Sequence, residues 1–437
     1  MNTTEAEQAT MRVGAAVVEI SPPAGTPMAG FAARTEPSTG VHDPLSVRAL
    51  AVDDTCWITV DVCGLHEDTC TRIARGLPFM PERVAITATH THAGPCVMPG
   101  RLGGHDPGLL EEIVVACHEA AETALASQQP ATLQYGESRG VDIARNRRHP
   151  ERAVDAPVQV ATFSDSRGQV LAWILLYPCH PVVLGPENRL ISGDYPAFTR
   201  SVVEERSPGS VALFLPGTPG DINSGHPADA SYSLSGSAGR TMEQARKIGE
   251  HVAASALGTR LLPVFDSGSG SGSDSGSDSG RTSAARRTIS VAMNSRDAFS
   301  PAELSRQWEA EAVSADPGRR SLLNAWKQWA VDRSPEEGMS WRAPVSVFNW
   351  QGLTLVGLPG EPFLAAAEAI ASAVDGPVFV TGYTNGCPGY FPSADEYDFG
   401  GYEVEDAHRY YGMPAPFAPG SAEALVRAAL ELVGELQ

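Results

Sequence analysis

The segment Val84–His92 reads VAITATHTH and joins a β-rich apolar run to two closely spaced histidines. Side chains two residues apart in extended backbone project to the same face, so His90 and His92 share one face of this strand end. Neutral imidazole is the commonest metal ligand in proteins. A single buried histidine is usually an ordinary core residue, but this pair, followed by an Ala-Gly-Pro turn, indicates a metal site as readily as a packing role.

Three further apolar runs end in side chains that bind metals. His180 ends the run VLAWILLYPCH, Glu361 ends LTLVGLPGE, and Tyr390 ends VFVTGYTNGCPGY. Ligands of open α/β sheets bind beyond the carboxyl ends of the strands, so these residues are expected to converge with His90. Two imidazoles and a carboxylate are protein ligands of a catalytic zinc. The phenol is the least expected ligand, because its pKa is about 10 and only a nearby cation would favour phenolate coordination.

The rest of the chain alternates short β-rich runs with helix-like segments, which is typical of layered α/β proteins. The predicted fold class is α/β, with mixed β-sheet layers, flanking helices and the active site at the carboxyl ends of the strands. Predicted strands are Cys56–Val62, Val84–Thr89, Val158–Phe163, Val170–Tyr177, Val211–Leu215, a pair around Val345–Leu358, and Val378–Thr381. Predicted helices are Leu109–Ala126, Thr241–Leu257, Pro301–Val331, Phe363–Val374 and Ala422–Leu436.

Domain organisation depends on the tract Asp266–Gly280, DSGSGSGSDSGSDSG, which has no apolar side chain to bury. Such Gly/Ser-rich composition predicts a flexible, solvated insertion. The metal-binding pattern needs residues on both sides of the tract, so we interpret residues 1–437 as a single functional domain. The length of 437 residues also fits two closely packed lobes, because one core rarely serves a chain of this size.

Composition excludes several classes of function. The chain has 52 acidic and 32 basic residues, and its net charge of −20 disfavours binding to nucleic acid or to anionic lipid. No apolar run is long enough to span a bilayer. The first residues lack the basic and apolar regions of a secretory signal, so we expect a cytoplasmic protein. The seven cysteines are odd in number and lie in apolar segments, which predicts reduced thiols.

Taken together, these motifs resemble the neutral, non-lysosomal ceramidase family, specifically its catalytic N-terminal domain. The similarity runs from about Gly14 to about Gly412 and does not include the C-terminal immunoglobulin-like domain that exported members carry. The shared segments are Val41–Leu50, Thr87–Gly94, Asn146-Arg147, Tyr177–Pro181, Ser192–Tyr195, Gly220–Ile222, Pro359–Phe363 and Tyr383–Tyr402.

The resemblance implies roles for individual residues. His92 is expected to contact the substrate's amide oxygen, Arg147 to position the substrate, and Tyr402 to lie near the reacting carbonyl. The chain departs from the family pattern at Asn223, where ceramidases carry a serine after Gly-Asp-Val. Together with the expected lack of the immunoglobulin-like domain and of an export signal, this departure makes ceramide a doubtful substrate. One zinc ion per chain is expected, and its implied ligands are His90, His180, Glu361 and Tyr390.

The predicted function is that of a zinc-dependent hydrolase, in which metal-activated water cleaves an amide or related acyl bond of a small molecule. Two alternatives stay open. One is a TIM-barrel amidohydrolase, in which His-x-His also closes a strand. The other is a protein of the ceramidase fold with different chemistry, such as a lyase, cyclase or acyl transferase, or a binding module. Asp61 and Asp194 could orient metal-bound histidines, although loop aspartates more often bond to backbone.

Overall fold

A computed structural model describes residues 11–101, 104–227, 239–264, 282–294, 301–315, 317–332 and 339–436. The predicted insertion 266–280 lies outside the described residues. The helices are α1 (Glu67–Gly76), α2 (Pro107–Ala126), α3 (Asp194–Arg206), α4 (Met242–Leu257), α5 (Pro301–Ala312), α6 (Pro317–Asp332), α7 (Leu364–Ala373) and α8 (Ser421–Leu436).

The strands are of two kinds, long ones that build two sheets and two-residue ones that pair locally. The long strands are β1 (Met11–Ile20), β3 (Leu45–Val52), β4 (Thr55–Val60), β5 (Val84–Ala88), β6 (Gln129–Ser138), β8 (Val158–Ser164), β9 (Val170–Leu176), β11 (Val211–Leu215), β14 (Ser283–Ala292), β15 (Ser340–Trp350), β16 (Leu353–Gly357) and β18 (Val378–Thr381). The short strands are β2 (Gly40–Val41), β7 (Arg145–Asn146), β10 (Leu190–Ile191), β12 (Ile222–Asn223), β13 (Leu262–Pro263), β17 (Glu361–Pro362) and β19 (Tyr390–Phe391).

The larger sheet has the strand order β11-β9-β8-β6-β1-β3-β4-β5, with β13 paired to β6. It is mixed, because the pairs β9–β11 and β4–β5 are parallel and the other neighbours along this order are antiparallel. The smaller sheet has the order β14-β15-β16-β18, in which only β16 and β18 are parallel. The predicted class is therefore confirmed. A TIM barrel, which needs eight parallel strands, is not the architecture of the described residues.

The two sheets face each other, and helices cover both outer sides. In β4, Trp57 points between the sheets and lies 5.1 Å from Phe348 of β15, measured between ring centroids. Its neighbours Cys56 and Ile58 point the other way, into the core beneath α2. Helix α8 packs on the outer side of β14 and β15. Strands buried on both faces read as nearly continuous apolar runs, which explains why the central strands were predictable.

The loop that follows β18 connects the two sheets. The hydroxyls of Thr87 and Thr384 lie 2.8 Å apart, and the backbone of Asn385 donates to Ile86 at 2.8 Å. This loop therefore extends from the smaller sheet onto β5, the edge strand of the larger sheet. As a result, the carboxyl ends of β5, β16 and β18 lie in the same region of the molecule.

Several elements differ from the sequence predictions. The stretch Pro301–Val331, predicted as one helical segment, forms the two helices α5 and α6. Strand β14 was not predicted, because arginines interrupt its apolar pattern and much of it is only partly buried. Among the other helices and long strands, the sequence analysis did not predict β1, β3, β6, α1 and α3, and it predicted none of the two-residue strands.

All seven cysteines are buried and free, as the sequence analysis predicted. Within the described part of the chain, no helix is both long and apolar enough to cross a lipid bilayer.

Candidate metal centre

Three predicted ligands meet where the strands end. His90 follows β5, His180 follows β9, and Glu361 starts β17 just after β16. The carboxylate Oε2 of Glu361 lies 2.9 Å from Nε2 of His180 and 3.3 Å from Nε2 of His90. All three side chains are buried, and their potential ligand atoms lie within 4.8 Å of one another. This group could hold a metal ion.

Backbone carbonyls fix the orientation of both imidazoles. The Nδ1 atom of His90 bonds to the carbonyl oxygen of Cys63, and Nδ1 of His180 bonds to the carbonyl oxygens of Pro219 and Ile222. Each Nδ1 must carry a proton to donate to a carbonyl, so Nε2 is the nitrogen through which each imidazole could bind a metal. Metal-binding histidines are commonly held in this way.

A second group, Cys63, His90 and His92, also brings three potential ligand atoms together. The sulfur of Cys63 lies 3.7 Å from Nδ1 of His90. That nitrogen already bonds to the backbone carbonyl of Cys63, so it has no lone pair to offer. The group with Glu361 is therefore the better candidate.

Two backbone positions with positive φ angles, one of them strained, lie at the potential ligands. His90 has a φ angle of 66°, in the left-handed region that non-glycine residues seldom adopt. Gly360, immediately before Glu361, has a φ of 64°, and a Cβ atom there would lie 2.4 Å from the carbonyl oxygen of Gly389. Such strain is typical of functional sites, where the surrounding structure holds the residue in place.

Tyr390 lies beside the proposed ligands, but its hydroxyl contacts an arginine. Strands β17 and β19 pair Glu361 with Tyr390 in register. The Tyr390 hydroxyl accepts a hydrogen bond of 3.0 Å from Arg147. Burial raises the pKa of Tyr390 well above its ordinary value, and the charge of Arg147 opposes that rise.

Two other tyrosines contact Glu361 directly and were missed by the sequence analysis. The Tyr383 hydroxyl lies 3.2 Å from Oε2 of Glu361 and 3.4 Å from Nε2 of His180. Its ring stacks on His90 at 4.0 Å between centroids. The Tyr411 hydroxyl bonds to Oε1 of Glu361. The only sequence signal was the position of Tyr383 in a Gly-rich turn directly after a buried strand.

His92 lies at the edge of the centre. Its Nε2 atom is 3.1 Å from Nε2 of His90, and the ring is only 8% exposed. Its Nδ1 atom is buried and has no hydrogen-bond partner among the described residues. Burial, together with the neighbouring imidazoles of His90 and His180, holds the pKa of His92 well below its ordinary value. His92 is therefore a neutral imidazole that lies beside the group formed by His90, His180 and Glu361.

Arg147 and Tyr402 both contact Tyr390. Arg147 donates to Glu403 at 2.8 Å and to the carbonyl oxygen of Gly220 at 2.8 Å. The ring of Tyr402 lies 5.6 Å from that of Tyr390, measured between centroids. Tyr402 is the first residue of a π-helical turn, Tyr402–Asp406. The structure thus brings both residues to the tyrosine side of the centre.

The electrostatics suit a buried cation. Burial alone raises the pKa of Glu361, but His90 and His180 outweigh it and hold that pKa well below its usual range. Burial, aided by the charge of Arg147, lowers the pKa of His180 to about 4. Burial also disfavours a charge on His90, but Cys63 and Glu361 raise the pKa of His90 to about 10. A proton on His90 thus balances the carboxylate, and metal binding would displace it.

Asp61, Asp194 and Asn223 serve other purposes. Asp61 bonds to Ser46, Thr89 and Arg200. Asp194 accepts from the backbone of residues 184 and 195. Both aspartates therefore hold local structure, and backbone carbonyls orient the histidines. Asn223 donates to the carbonyl of His226 at 2.6 Å and accepts from the backbone of Gly225 at 2.8 Å, so it closes a local turn.

Part of the chain matches a known protein family. Residues 11–222 match the family model described as neutral/alkaline non-lysosomal ceramidase, N-terminal. The geometry described above defines the class of site: two histidines and a glutamate, all buried, at the strand ends of a mixed α/β fold. Residues 11–222 belong to the neutral/alkaline ceramidase N-terminal domain family, and the resemblance inferred from the sequence is confirmed. His90, His92, Arg147 and His180 lie within the matched segment.

Two curated relatives are neutral ceramidases. The protein from Pseudomonas aeruginosa is 24% identical over 228 residues, which are 45% of this chain and 34% of the relative. The protein from Mycobacterium tuberculosis is 26% identical over 237 residues, which are 45% of this chain and 37% of the relative. Each alignment thus spans only about a third of the relative's length.

Solved structures show the same fold over nearly the whole chain. The crystal structure of the Pseudomonas aeruginosa neutral ceramidase superposes with a TM-score of 0.74 at 18% identity, covering 98% of this chain and 75% of that one. A ceramidase complexed with C2 gives a TM-score of 0.72 at 18% identity and the same coverage. Glu361, Tyr390 and Tyr402 lie beyond the segment matched by the family model, but within a fold that is shared.

Proposed function

We propose that this chain is a zinc-dependent amidohydrolase that cleaves an amide, or a closely related acyl bond, in a small molecule. One observation carries the proposal: His90, His180 and Glu361, far apart in sequence, present two imidazole nitrogens and a carboxylate to one buried point. The relatives named neutral ceramidases support the choice of bond. The proposal concerns the type of bond and leaves the acyl group open, because the alignments cover a third of those proteins.

His90 and His180 would hold zinc through Nε2, Glu361 through its carboxylate, and Tyr390 through its phenol oxygen. Mixed imidazole and oxygen ligands suit zinc. The hydrogen bond from Arg147 stabilises negative charge on the Tyr390 oxygen, which favours coordination to a cation. When bound, zinc acts as a Lewis acid and lowers the pKa of a water ligand from 15.7 to about 7.

His92 would stabilise the oxyanion that develops on the substrate carbonyl. Its low pKa keeps the imidazole neutral, so one ring nitrogen carries a proton that can be donated. The ring is held in place by edge contacts with Phe31, at 4.9 Å, and with His90, at 4.7 Å between centroids. A preorganised donor of this kind strengthens as the carbonyl oxygen gains charge, which lowers the activation barrier.

Arg147 and Tyr402 would position the substrate. Arg147 is buried in an ion pair with Glu403, whose carboxylate also pairs with Arg148 at 2.6 Å. The guanidinium therefore cannot swing freely, and it holds Tyr390 as well as one side of the site. The Tyr402 ring packs edge-on against that of Tyr390, and Tyr402 would contact the part of the substrate nearest the carbonyl.

Metal removal tests the proposal. We expect protein purified without added metal to contain about one zinc per chain by mass spectrometry, the stoichiometry of a single catalytic site. Dialysis against a chelator should abolish hydrolysis across a panel of small amides and esters, and added zinc should restore it. A wild-type protein that takes up no metal on reconstitution would refute the zinc centre. A zinc-loaded protein that hydrolyses nothing in the panel would favour the non-hydrolytic alternative.

A further inference from the structure

A cavity of about 480 Å³ lies next to His92 and is distinct from the metal group. Gly30 and Phe31 form part of its wall. The Phe31 ring lies 4.9 Å from the His92 ring, and a Cβ atom on Gly30 would lie 2.6 Å from it. The volume is within the range of about 300–1,000 Å³ that is usual for small-molecule sites. The cavity can therefore hold the body of a small substrate beside the imidazole.

The charge of this cavity is opposite to that of the whole chain. The chain carries 52 acidic and 32 basic residues, yet the described residues that line the cavity include three arginines and no carboxylate. Two of the arginines are paired outside the lining, Arg101 with Glu67 at 2.8 Å and Arg409 with Asp406. Concave sites lined by one sign of charge concentrate ligands of the opposite sign.

The third arginine, Arg34, bonds to backbone carbonyls. Its guanidinium donates to the carbonyls of Ala29 at 3.0 Å, His92 at 2.8 Å, Gly185 at 3.1 Å and Pro186 at 3.3 Å. These bonds use four of its five N–H groups. No carboxylate of the described residues forms an ion pair with it, and the carboxylate of Glu187 acts on its charge only at longer range. Burial lowers the pKa of Arg34 to about 10, which leaves it charged at neutral pH.

Aromatic rings provide flat surfaces between these charges. Arg34 lies over the Phe31 ring at 4.9 Å, and Arg409 lies over Trp326 at 4.8 Å and Trp329 at 5.8 Å. The Nε–H of Arg409 is buried and has no hydrogen-bond partner among the residues that the structure describes. A charged donor left unpaired in a low-dielectric site is costly unless a ligand satisfies it.

From these observations we propose that the cavity binds the carboxylate of an anionic substrate with a compact aromatic or apolar body. The reaction expected for such a substrate, removal of an acyl group from an N-acylated amino acid, rests on the proposed function. The binding of the anion does not depend on it. The carboxylate would sit between Arg34 and Arg409, with the body against Phe31 and Trp326.

Calorimetric titration of the zinc-loaded full chain with phenylacetate and with phenylacetamide tests the binding. The two probes differ only in charge. We expect phenylacetate to bind at least about tenfold more tightly, and Arg409→Gln to abolish the difference, because one charged hydrogen bond is worth about a factor of ten or more. Arg206→Gln, the same change at an exposed position at the end of α3, should leave both affinities unchanged.

Several outcomes would overturn the proposal. One is equal affinity of the wild type for both probes. Another is unchanged phenylacetate binding in Arg409→Gln, which would exclude Arg409 from binding the anion. If Arg409→Gln does not fold, salt dependence of the wild type replaces it: raising ionic strength should weaken phenylacetate binding and leave phenylacetamide binding unchanged. Salt-independent phenylacetate binding would contradict an arginine site.

Turnover measurements with two amides distinguish the failure of the anion site from the failure of the proposed hydrolase function. N-acetylphenylalanine and N-acetylphenethylamine carry the same amide and ring, and only the first has a carboxylate. Preferred hydrolysis of the anionic compound supports both proposals. Equal hydrolysis of the two refutes the anion site and leaves the amidohydrolase standing. Selective phenylacetate binding without hydrolysis of either amide supports the anion site and counts against the hydrolase.

Discussion

The histidine side and the tyrosine side of the metal centre are held by different kinds of contact. On the histidine side, the carbonyls of Cys63 and Pro219 hold the imidazoles through Nδ1. On the tyrosine side, the hydroxyls of Tyr383, Tyr390 and Tyr411 bond to the side chains of Glu361 and Arg147. Backbone contacts persist when one side chain is changed, whereas a network of side chains transmits the change to its neighbours. Substitutions on the two sides should therefore have different consequences.

The largest effect is expected from Glu361→Gln, because Glu361 belongs to both sides. The amide keeps the shape but removes the buried negative charge that faces His90 and His180. Zinc affinity should fall by more than roughly 10–100-fold, which is the typical loss when a residue that only supports the metal ligands is substituted. Competition with a chelator of known affinity measures it. Glu368→Gln, at an exposed position of α7, is the matched control. Wild-type affinity in Glu361→Gln would exclude this carboxylate as a ligand.

The next largest effect concerns catalysis alone. His92→Ala removes the neutral imidazole beside the metal group but none of the carbonyl contacts of His90 and His180. The variant should bind zinc normally, and kcat should fall by about 10²–10³, the usual cost of losing one oxyanion donor. His251→Ala, exposed on α4, should be silent. Wild-type turnover by a zinc-replete His92→Ala protein would remove this residue from the reaction.

A smaller effect is expected on the tyrosine side. Tyr383→Phe keeps the ring that stacks on His90 and removes the hydroxyl that bonds to Glu361. Zinc affinity should fall about tenfold, the lower end of the range for residues that orient ligands. Tyr135→Phe, a hydroxyl deletion on β6, serves as the control because the Tyr135 hydroxyl bonds to Gln159 and Glu137 and, among the described residues, to no member of the metal group. An unchanged affinity would mean that stacking alone is what Tyr383 contributes.

The same contrast explains how much the sequence could predict. His90, His180 and Glu361 come just after buried strands, and a metal-binding side chain at the end of an apolar run is a pattern that the sequence itself shows. Tyr383 and Tyr411 reach Glu361 from irregular segments whose path depends on contacts between distant residues. No local pattern marks a phenol in such a segment. Most central strands and the helices with apolar periodicity were predicted, but the pairing of β5 with residue 384 was not, because it joins two sheets.

The smallest effect on zinc affinity is expected from a substitution of Asp61, which the sequence analysis named as a residue that could orient the metal-bound histidines. Asp61 is 1% exposed and pairs with Arg200 at 2.7 Å, while Ser46 donates to it at 2.7 Å through its hydroxyl and Thr89 at 3.0 Å. Asp61→Asn should therefore leave zinc affinity unchanged. It should lower the free energy of unfolding by about 3–5 kcal/mol at pH 7, the cost of leaving one buried charge without its partner.

The pH dependence of that loss identifies its cause. Burial raises the pKa of Asp61, but Arg200 and Ser46 outweigh it and lower that pKa below its ordinary value of 3.8. A carboxyl with a depressed folded pKa stabilises the protein above its unfolded pKa, and the stabilisation is lost as pH falls through the folded pKa. The difference between wild type and Asp61→Asn, from urea unfolding at fixed zinc, should thus be constant above about pH 5 and shrink below about pH 4. If Asp61→Asn instead lowered zinc affinity as much as Tyr383→Phe does, Asp61 would support the histidines. Only in that case would the charge of Asp61 affect metal binding.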